Sequence, residues 1–515
     1  MGFPMRSPIS LMIMTASKIA SWFLKYRYWL LCALVFTLMA LRADNSFWVG
    51  DFWEHSSVIR ELATHPLNPV HPQLLSTAPS AFTTPYHLLL AMAVRLSTKS
   101  AVEILAVAGL VNLVLFFIGF YLFIASLDQE KRSGLAFYSL LLVLLLWGFY
   151  AWNFSGFFHL RNLGFIIPFP SMFAMALSLF ALWLDAVRIK KKNDLWLIPI
   201  WLIAATVLLT HSITFFFLAA GLAAFSLRVR ERLWLELLKI AGLLGLAFGL
   251  ATLWPYYPFF KLMLGESTLY HLSNRDMYQH LFLRVWPLLV GIPLLVLEAR
   301  KDWRSPLPWM FAAMLGVYLL GLLTGSYSYG RVISYLGMVL QVTIAIYVLK
   351  LEQKASQKFR SAQTGQVIFS LGVSLALILA TLTAQVIPLF ETVAPGEGNH
   401  LEKYLFLSQY TGQYDVILTD LPTSMVVPTF GGKVVAYDRP LPFVPDAAQR
   451  REDVLRFYDP QTSEAERWAI LSKYNVKYIL LEKKPEANWE TTRSLISPYG
   501  ELVYRGKRFL LYKVK

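Results

Sequence analysis

Three side chains that can move protons stand close together near the start of the chain, at Asp51, Glu54 and His55. On a helix these positions are i, i+3 and i+4, so they share one face. A carboxylate beside an imidazole can take a proton from an alcohol nucleophile. The alternative is that the two acids only cap and solvate an amphipathic helix at the membrane interface. Spacing alone leaves both interpretations open.

Other cationic and imidazole side chains could bind an anionic group. Arg331 begins an apolar run, so it could hold a lipid phosphate at headgroup depth or serve as an ordinary interfacial anchor. The further candidates are His159 and Arg161 in the 153–163 segment, Lys261, His271 and Arg275 in the 254–280 segment, and His211 between two apolar runs. The alternatives are solvated loops and, for His211, a hydrogen-bonded packing residue.

The elements that must position these residues are membrane spans. The chain has 515 residues, of which 56% are hydrophobic and 15% charged, whereas a soluble protein carries about 25% charged residues. Lipid must therefore be the solvent for most of the chain. Eleven apolar runs approach spanning length, at 24–41, 102–126, 134–152, 164–186, 195–209, 211–227, 234–253, 281–297, 307–324, 331–349 and 366–388. The first run predicts an anchor, since no small-residue cleavage site follows it.

The net charge of +15 comes from basic clusters between these runs. With a cytoplasmic N-terminus and eleven spans, every cluster falls on the cytoplasmic side, as the positive-inside rule requires, and the C-terminus lies outside. The clusters are at 25–27, 130–132, 188–192, 228–232, 300–304 and 350–360. Because they are not contiguous in one domain, they argue against a nucleic-acid partner. The one cysteine, Cys32, cannot form an intrachain disulfide, and no Cys/His spacing fits zinc.

The outside segment 43–100 predicts two helices that do not span the membrane. The first runs from Asp51 to about Thr64 and is ended by Pro66, and the second covers 84–97 with Pro85 in its first turn. The second is apolar but only about a dozen residues long, which fits an interfacial helix. Counting it as a span would move all later basic clusters outside.

The tail from about 391 predicts a small α/β domain after a breaker at Pro395-Gly396. Strands are predicted at 414–419, 433–437, 476–481 and 509–514, and helices at 446–458 and 463–474. The tail has no glycine-rich dinucleotide fingerprint and no P-loop, so it indicates no nucleotide role. The predicted domains are therefore a membrane domain at 1–390, mainly α, and a soluble α/β domain at 391–515.

A family resemblance follows from this layout. A first span, an acidic helix, a Pro-rich linker and the Thr84–Ala91 helix leading into the next span are similar to the GT-C superfamily of membrane glycosyltransferases. In the tail, 416–424, 431–437 and 473–481 resemble a bacterial branch of that group. The resemblance implies a polyprenyl-phosphate-linked sugar donor, a catalytic acid at the position of Asp51, and an arginine on the donor phosphate. The paired Asp-Glu of some branches is absent, because Gly50 and Phe52 flank Asp51.

The resemblance implies a transferase that moves a hexosyl or pentosyl group onto an acceptor hydroxyl outside the cytoplasm, as in cell-envelope glycan biosynthesis. The acceptor, a glycan, lipid or protein, stays open. No cofactor is predicted, although a divalent metal is not excluded. The expected location is a bacterial inner or plasma membrane. The alternatives are a transporter or flippase of lipid-linked glycans, and a non-catalytic membrane scaffold. The first would place ionisable groups in mid-span and use discontinuous helices.

Overall fold

The computed structural model describes residues 8–44, 48–128, 130–229, 231–265, 272–359, 361–393, 402–483 and 489–515. Close contacts divide the chain into two compact units. The helical unit comprises Met1–Asp44, Gly109–Ala251 and His271–Ala394, and the mixed unit comprises Asn45–Ala108, Thr252–Tyr270 and Pro395–Lys515. The domains predicted from the sequence, 1–390 and 391–515, are continuous in the chain, whereas the two contact-based units each combine separate segments. The predicted domain boundary stays a prediction.

Helices are the main secondary structure of the described chain up to residue 393. In order they are α1 (Pro8–Asp44), α2 (Asp51–Thr64), α3 (Pro85–Leu96), α4 (Ala101–Leu127), α5 (Arg132–Leu145), α6 (Leu160–Ile166), α7 (Pro170–Lys191), α8 (Leu197–Thr210), α9 (Ser212–Ser226), α10 (Leu233–Thr252), α11 (Phe259–Leu264), α12 (Leu281–Val285), α13 (Gly291–Lys301), α14 (Pro306–Thr324), α15 (Ile333–Ser356), α16 (Ala362–Ala380) and α17 (Ile387–Val393). Short 3₁₀ helices at Trp286–Val290 and Tyr327–Val332 continue into α13 and α15.

Within the described residues, eight helical segments are long and apolar enough to cross a membrane: Lys18–Asp44, Ala101–Leu127, Pro170–Lys191, Leu233–Thr252, Leu281–Lys301, Pro306–Thr324, Tyr327–Ser356 and Ala362–Ala380. Three further apolar helices are shorter, at Arg132–Leu145, Asp194–Thr210 and Ser212–Ser226. Each predicted apolar run overlaps one of these segments, but the runs predicted at 134–152 and 366–388 extend beyond the helices, which end at Leu145 and Ala380. The protein is an integral membrane protein, while the count of eleven spans stays a prediction. The run predicted at 164–186 is interrupted because Pro168 and Pro170 separate α6 from α7.

A buried ion pair holds several helices of the helical unit together. The Arg27 guanidinium of α1 donates to Glu352 Oε2 of α15 at 3.1 Å and to Ser370 Oγ of α16 at 2.6 Å. Tyr138 of α5 donates its hydroxyl to the same carboxylate at 3.1 Å. Hydrogen bonds from neighbouring side chains offset part of the cost of removing a buried charge pair from water. Arg27 and Glu352 therefore have a structural role: they connect α1, α5, α15 and α16.

The tail contributes the sheet of the mixed unit. Its described elements are α18 (Leu407–Tyr410), β1 (Val416–Leu418), α19 (Leu421–Ser424), α20 (Val427–Phe430), β2 (Lys433–Val434), α21 (Ala447–Tyr458), α22 (Glu464–Lys473), β3 (Val476–Glu482), α23 (Trp489–Ile496), β4 (Gly500–Arg505) and β5 (Phe509–Val514). The strand order is β2-β1-β3-β5-β4, with β1 parallel to β2 and β3, and β5 antiparallel to β3 and β4. The predicted α/β character is confirmed. The strand predicted at 433–437 is shorter than expected, and β4 was not predicted.

The segment between α2 and α3 joins this sheet at its β2 edge. Leu74 forms a parallel bridge with Val434, whose N–H donates to the Gln73 carbonyl at 2.8 Å. The buried Lys433 ammonium donates to Glu61 Oε2 of α2 at 2.7 Å. If α2 moved away from the sheet, each of these buried charges would lose its partner, which is costly. The pair therefore holds α2 against the sheet.

Candidate functional site

The helix α2 begins at Asp51, as predicted, and places the three proton-moving residues in its first two turns. Asp51 is the exposed member, with 38% of its side chain accessible. Glu54 and His55 are buried, at 1% and 5% exposure. The helix buries most of its length, including Phe52, and so holds the exposed carboxylate on a rigid support.

The backbone before Asp51 explains why an acid does not precede it. Gly50 has φ 61° and ψ −128°, a conformation that essentially only glycine adopts without strain. An aspartate or glutamate at position 50 would therefore strain the entry into α2. The turn into the helix thus disfavours an acid at position 50, while the side chain at position 52, Phe52, is fully buried.

Arg439 of the tail lies against the two acids of α2. Its Nη1 donates to Asp51 Oδ1 and lies 3.5 Å from Glu54 Oε2. Burial raises the pKa of Glu54 to about 8, with the negative charge of Asp51 as a smaller cause in the same direction and Arg439 opposing both. Glu54 therefore holds its proton at neutral pH. The guanidinium is then balanced mainly by Asp51, and its own pKa lies above the ordinary value.

A short imidazole chain lies beside these acids in the mixed unit. His55 Nδ1 is 3.0 Å from His87 Nε2, and His87 Nδ1 is 2.8 Å from Thr84 Oγ1. Burial lowers the pKa of His55 to about 3 and that of His87 well below the ordinary value. Both rings are therefore neutral at pH 7. They can orient each other and share a proton along the chain, but they carry no charge toward a substrate.

The raised pKa of Glu54 predicts a pH-dependent stability. Its folded pKa of about 8 exceeds the ordinary 4.5, so the folded state holds a proton that the unfolded state loses. The stability due to the neutral acid is full below pH 4.5 and is lost as the pH rises to 8, by at most about 1.4 kcal/mol per pH unit. Glu54→Gln should flatten the dependence of melting temperature on pH across that window, whereas the exposed Glu464→Gln should leave it unchanged. Parallel curves for wild type and Glu54→Gln would contradict the buried, protonated state.

Two of the other candidates meet in the helical unit. Arg331 Nη2 donates to the Ser155 carbonyl at 2.9 Å and to Ser155 Oγ at 2.6 Å. His211 Nε2 lies 3.3 Å from the same hydroxyl, and its Nδ1 lies 2.7 Å from Thr214 Oγ1. Arg331 and His211 are thus linked through Ser155. The contacts fix the guanidinium in the 3₁₀ helix that leads into α15 and place the Ser155 hydroxyl beside it.

The remaining candidates are placed differently. His159 caps α6 and is buried between Gln385 Oε1 at 2.9 Å and the Trp152 carbonyl at 3.0 Å. The Arg161 and Arg275 side chains are exposed in the helical unit, and Lys261 is exposed on α11 in the mixed unit. His271 lies outside the described residues. His159 therefore fits the structural alternative, while the exposed arginines stay available to an anion.

A metal site does not emerge from these acids. In the described ranges no group of three or more His, Cys, Asp and Glu side chains is arranged to hold a metal ion. The donor set on α2 also does not fit one, because the Arg439 guanidinium already contacts both carboxyl groups. The lack of a cofactor stays a prediction.

The sequence did not single out Arg439. It stands in an ordinary Asp438-Arg-Pro-Leu stretch, 388 positions from Asp51. No spacing rule connects residues at that separation. A partly buried acid requires a cationic partner, and this requirement could have prompted a search for one. It does not indicate which lysine or arginine that partner is.

No protein-family model and no curated protein sequence matches the chain, but solved structures do. An oligosaccharyltransferase from Archaeoglobus fulgidus superposes with a TM-score of 0.56 at 12% identity, covering 93% of this chain and 73% of that one. The same protein tethered to an acceptor peptide gives 0.54 at 12% identity, covering 96% and 75%. ArnT from Cupriavidus metallidurans gives 0.52 at 12% identity, covering 93% and 96%. At this identity the likeness shows a shared fold.

Proposed function

From the GT-C fold that this chain shares with membrane glycosyltransferases, we propose that it transfers a sugar from a polyprenyl-phosphate-linked donor to an acceptor hydroxyl outside the cytoplasm. The observation that carries the proposal is a partly exposed carboxylate, Asp51, at the first turn of an otherwise buried helix that follows the first span of this fold. Transfer onto an oxygen needs such a base. The similar structures include an enzyme solved with an acceptor peptide, which makes a polymeric acceptor a further class to test.

In the proposed mechanism, Asp51 accepts the proton of the acceptor hydroxyl while that oxygen attacks the anomeric carbon of the donor. The bond from that carbon to the phosphate oxygen breaks, and the polyprenyl phosphate leaves with the bonding electrons. One base suffices for a single displacement, so inversion is the expected stereochemistry. Arg439 orients Asp51 through a charge-assisted hydrogen bond. Glu54 is protonated and so adds no second negative charge beside the base.

The leaving phosphate needs a cation of its own. We assign that role to Arg331, held by Ser155 at the start of α15, with Arg161 or Arg275 as additional exposed cations of the same unit. A fixed guanidinium binds phosphate in a bidentate manner and stabilises its developing charge. Lys261 could assist at the donor headgroup, while His211 supports the Ser155 contact.

The test is a transfer assay with the full chain in detergent. A labelled polyprenyl-phosphate sugar is offered with and without candidate acceptors, and both glycosylated acceptor and free polyprenyl phosphate are measured. We expect glycosylated acceptor and free polyprenyl phosphate to form in equal amounts, and only when an acceptor is present. A flippase would move the intact donor across proteoliposomes and form neither product. That outcome would replace the proposed activity with the transport alternative.

Arg331→Ala is expected to weaken donor binding about tenfold or more, because a charge-assisted contact to phosphate contributes about 1.5–3 kcal/mol. Arg331→Lys should fall in between, since lysine keeps the charge but lacks the planar fork. Donor affinity is measured by equilibrium binding of the labelled polyprenyl-phosphate sugar. Unchanged affinity in both variants would reduce Arg331 to an interfacial anchor.

A further inference from the structure

A cavity of about 150 Å³ lies in the helical unit where the ends of several helices meet. Its lining includes Lys131, Arg228, Lys301 and Lys350, which come from four of the six basic clusters in the sequence. The positive-inside rule places all four clusters in the cytoplasm. Convergence on one cavity agrees with that placement, because these residues then share one end of the unit. Asp51 and the residues that contact it belong to the mixed unit, so the cavity is a separate feature.

The charges in this cavity are not balanced by the protein. Against the four cations stand two acids, Asp128 and Glu298. Asp128 accepts a hydrogen bond from the backbone N–H of Lys131 at 3.1 Å, and Glu298 lies 3.8 Å from the Lys350 ammonium. Within the described ranges, Lys131, Arg228 and Lys301 take part in no ion pair shorter than 4.0 Å. Such an excess of positive charge favours an anionic ligand.

One of these cations is held in place. Arg228 Nη1 donates to the Ser126 carbonyl at the end of α4 at 2.7 Å. Burial lowers the pKa of this guanidinium, and the more distant Asp302 opposes that effect only in part. Keeping a cation partly out of water without a contacting acid costs free energy, which an anion in the cavity would recover. The fixed geometry also reduces the ordering cost of binding.

The other part of the lining is hydrocarbon. It consists of aliphatic side chains from the apolar helices α4, α5, α14 and α15, namely Leu127, Leu135, Leu307, Ile346 and Leu349. At about 150 Å³ the cavity is much larger than the space that a single water needs. That space suits a phosphodiester and the carbons next to it. A ligand with an anionic head and an apolar body matches both parts of the lining, whereas a free inorganic anion matches only the cations.

We propose that this cavity binds the phosphate headgroup of an anionic membrane phospholipid at the cytoplasmic side of the helical unit. The phosphate oxygens accept from Arg228 and the surrounding lysine ammonium groups, and the first carbons of the lipid lie against the leucines. The bound lipid joins α4, α5, α14 and α15 at that end. The proposal does not depend on the transferase activity, since it concerns residues outside the candidate site.

The test titrates the full chain, purified in a neutral detergent, with short-chain phosphatidylglycerol and follows bound lipid by native mass spectrometry. Lys131→Gln combined with Lys301→Gln removes two exposed lysines and should weaken binding about 25-fold, since each cation near an anionic headgroup contributes about fivefold. The matched control is Lys191→Gln with Lys192→Gln, which removes the same charge from an exposed cluster that does not line the cavity. Its affinity should equal that of wild type. Phosphatidylcholine of the same chain length should bind more weakly to wild type.

Three results would overturn the proposal. Equal losses in the two double variants would show general attraction between anionic lipid and basic loops. Equal affinity for the two lipids would show that the headgroup charge is not recognised. Binding of inorganic phosphate that the lipid cannot displace would identify a site for a free anion. Arg228→Gln provides a second variant, and the melting temperature of each protein shows whether it is folded.

Discussion

Replacing Asp51 with asparagine is expected to lower the rate of sugar transfer about 10²- to 10⁴-fold, the usual contribution of general-base catalysis. The amide keeps the size of the side chain and can still accept a hydrogen bond, but it does not take up a proton at neutral pH. Because the side chain is partly exposed, at 38%, the change should leave folding and membrane insertion intact. Donor binding, melting temperature and transfer rate are measured on the same preparation.

Glu54→Gln is the control for that experiment. Glu54 is buried and protonated at neutral pH, so glutamine resembles the form already present, and a loss below tenfold is expected. If Glu54→Gln has no transfer activity while Asp51→Asn transfers sugar at a near-normal rate, the base is Glu54. If both variants transfer sugar normally, the transferase hypothesis for this helix fails.

The local elements around Asp51 could be predicted from the sequence because their signals are local. Proline at 66 and 85 and the acids in the first turn predicted α2 and α3 to within one or two residues. Hydropathy located the apolar helices, since lipid requires long uncharged runs. Short, nearly continuous apolar runs located β3 and β5 closely. In each case one stretch of chain contained the whole signal.

The contacts between distant segments could not be predicted in this way. The bridge between Leu74 and Val434 and the buried pair of Glu61 with Lys433 each join positions more than 350 residues apart. β2 is only two residues long, so little periodicity marks it. The sequence indicated no candidate site residue in the tail. Its contribution of Arg439 became visible only when the mixed unit was folded.

Arg439→Gln is expected to lower the transfer rate about 10- to 100-fold, which corresponds to about 1.4–2.7 kcal/mol in activation free energy. Arg439 contacts Asp51 and lies near Glu54, so its loss removes the group that fixes the base and the cation beside the two acids. The pKa of Glu54 should rise further, because the opposing positive charge is gone. Turnover should fall while donor affinity stays the same, since Arg439 is a positioning residue.

The matched control for Arg439 is Arg451→Gln. Arg451 is another arginine of the tail, 48% exposed, and it pairs with Asp438 at 3.4 Å rather than with α2. Arg451→Gln removes the same charge as Arg439→Gln, so a general electrostatic effect would lower the turnover of both variants equally. Arg439→Lys separates the remaining explanations, because lysine keeps a cation near Asp51 and should recover part of the rate. A fall in melting temperature with normal turnover in Arg439→Gln would mean that the pair only holds the tail on α2.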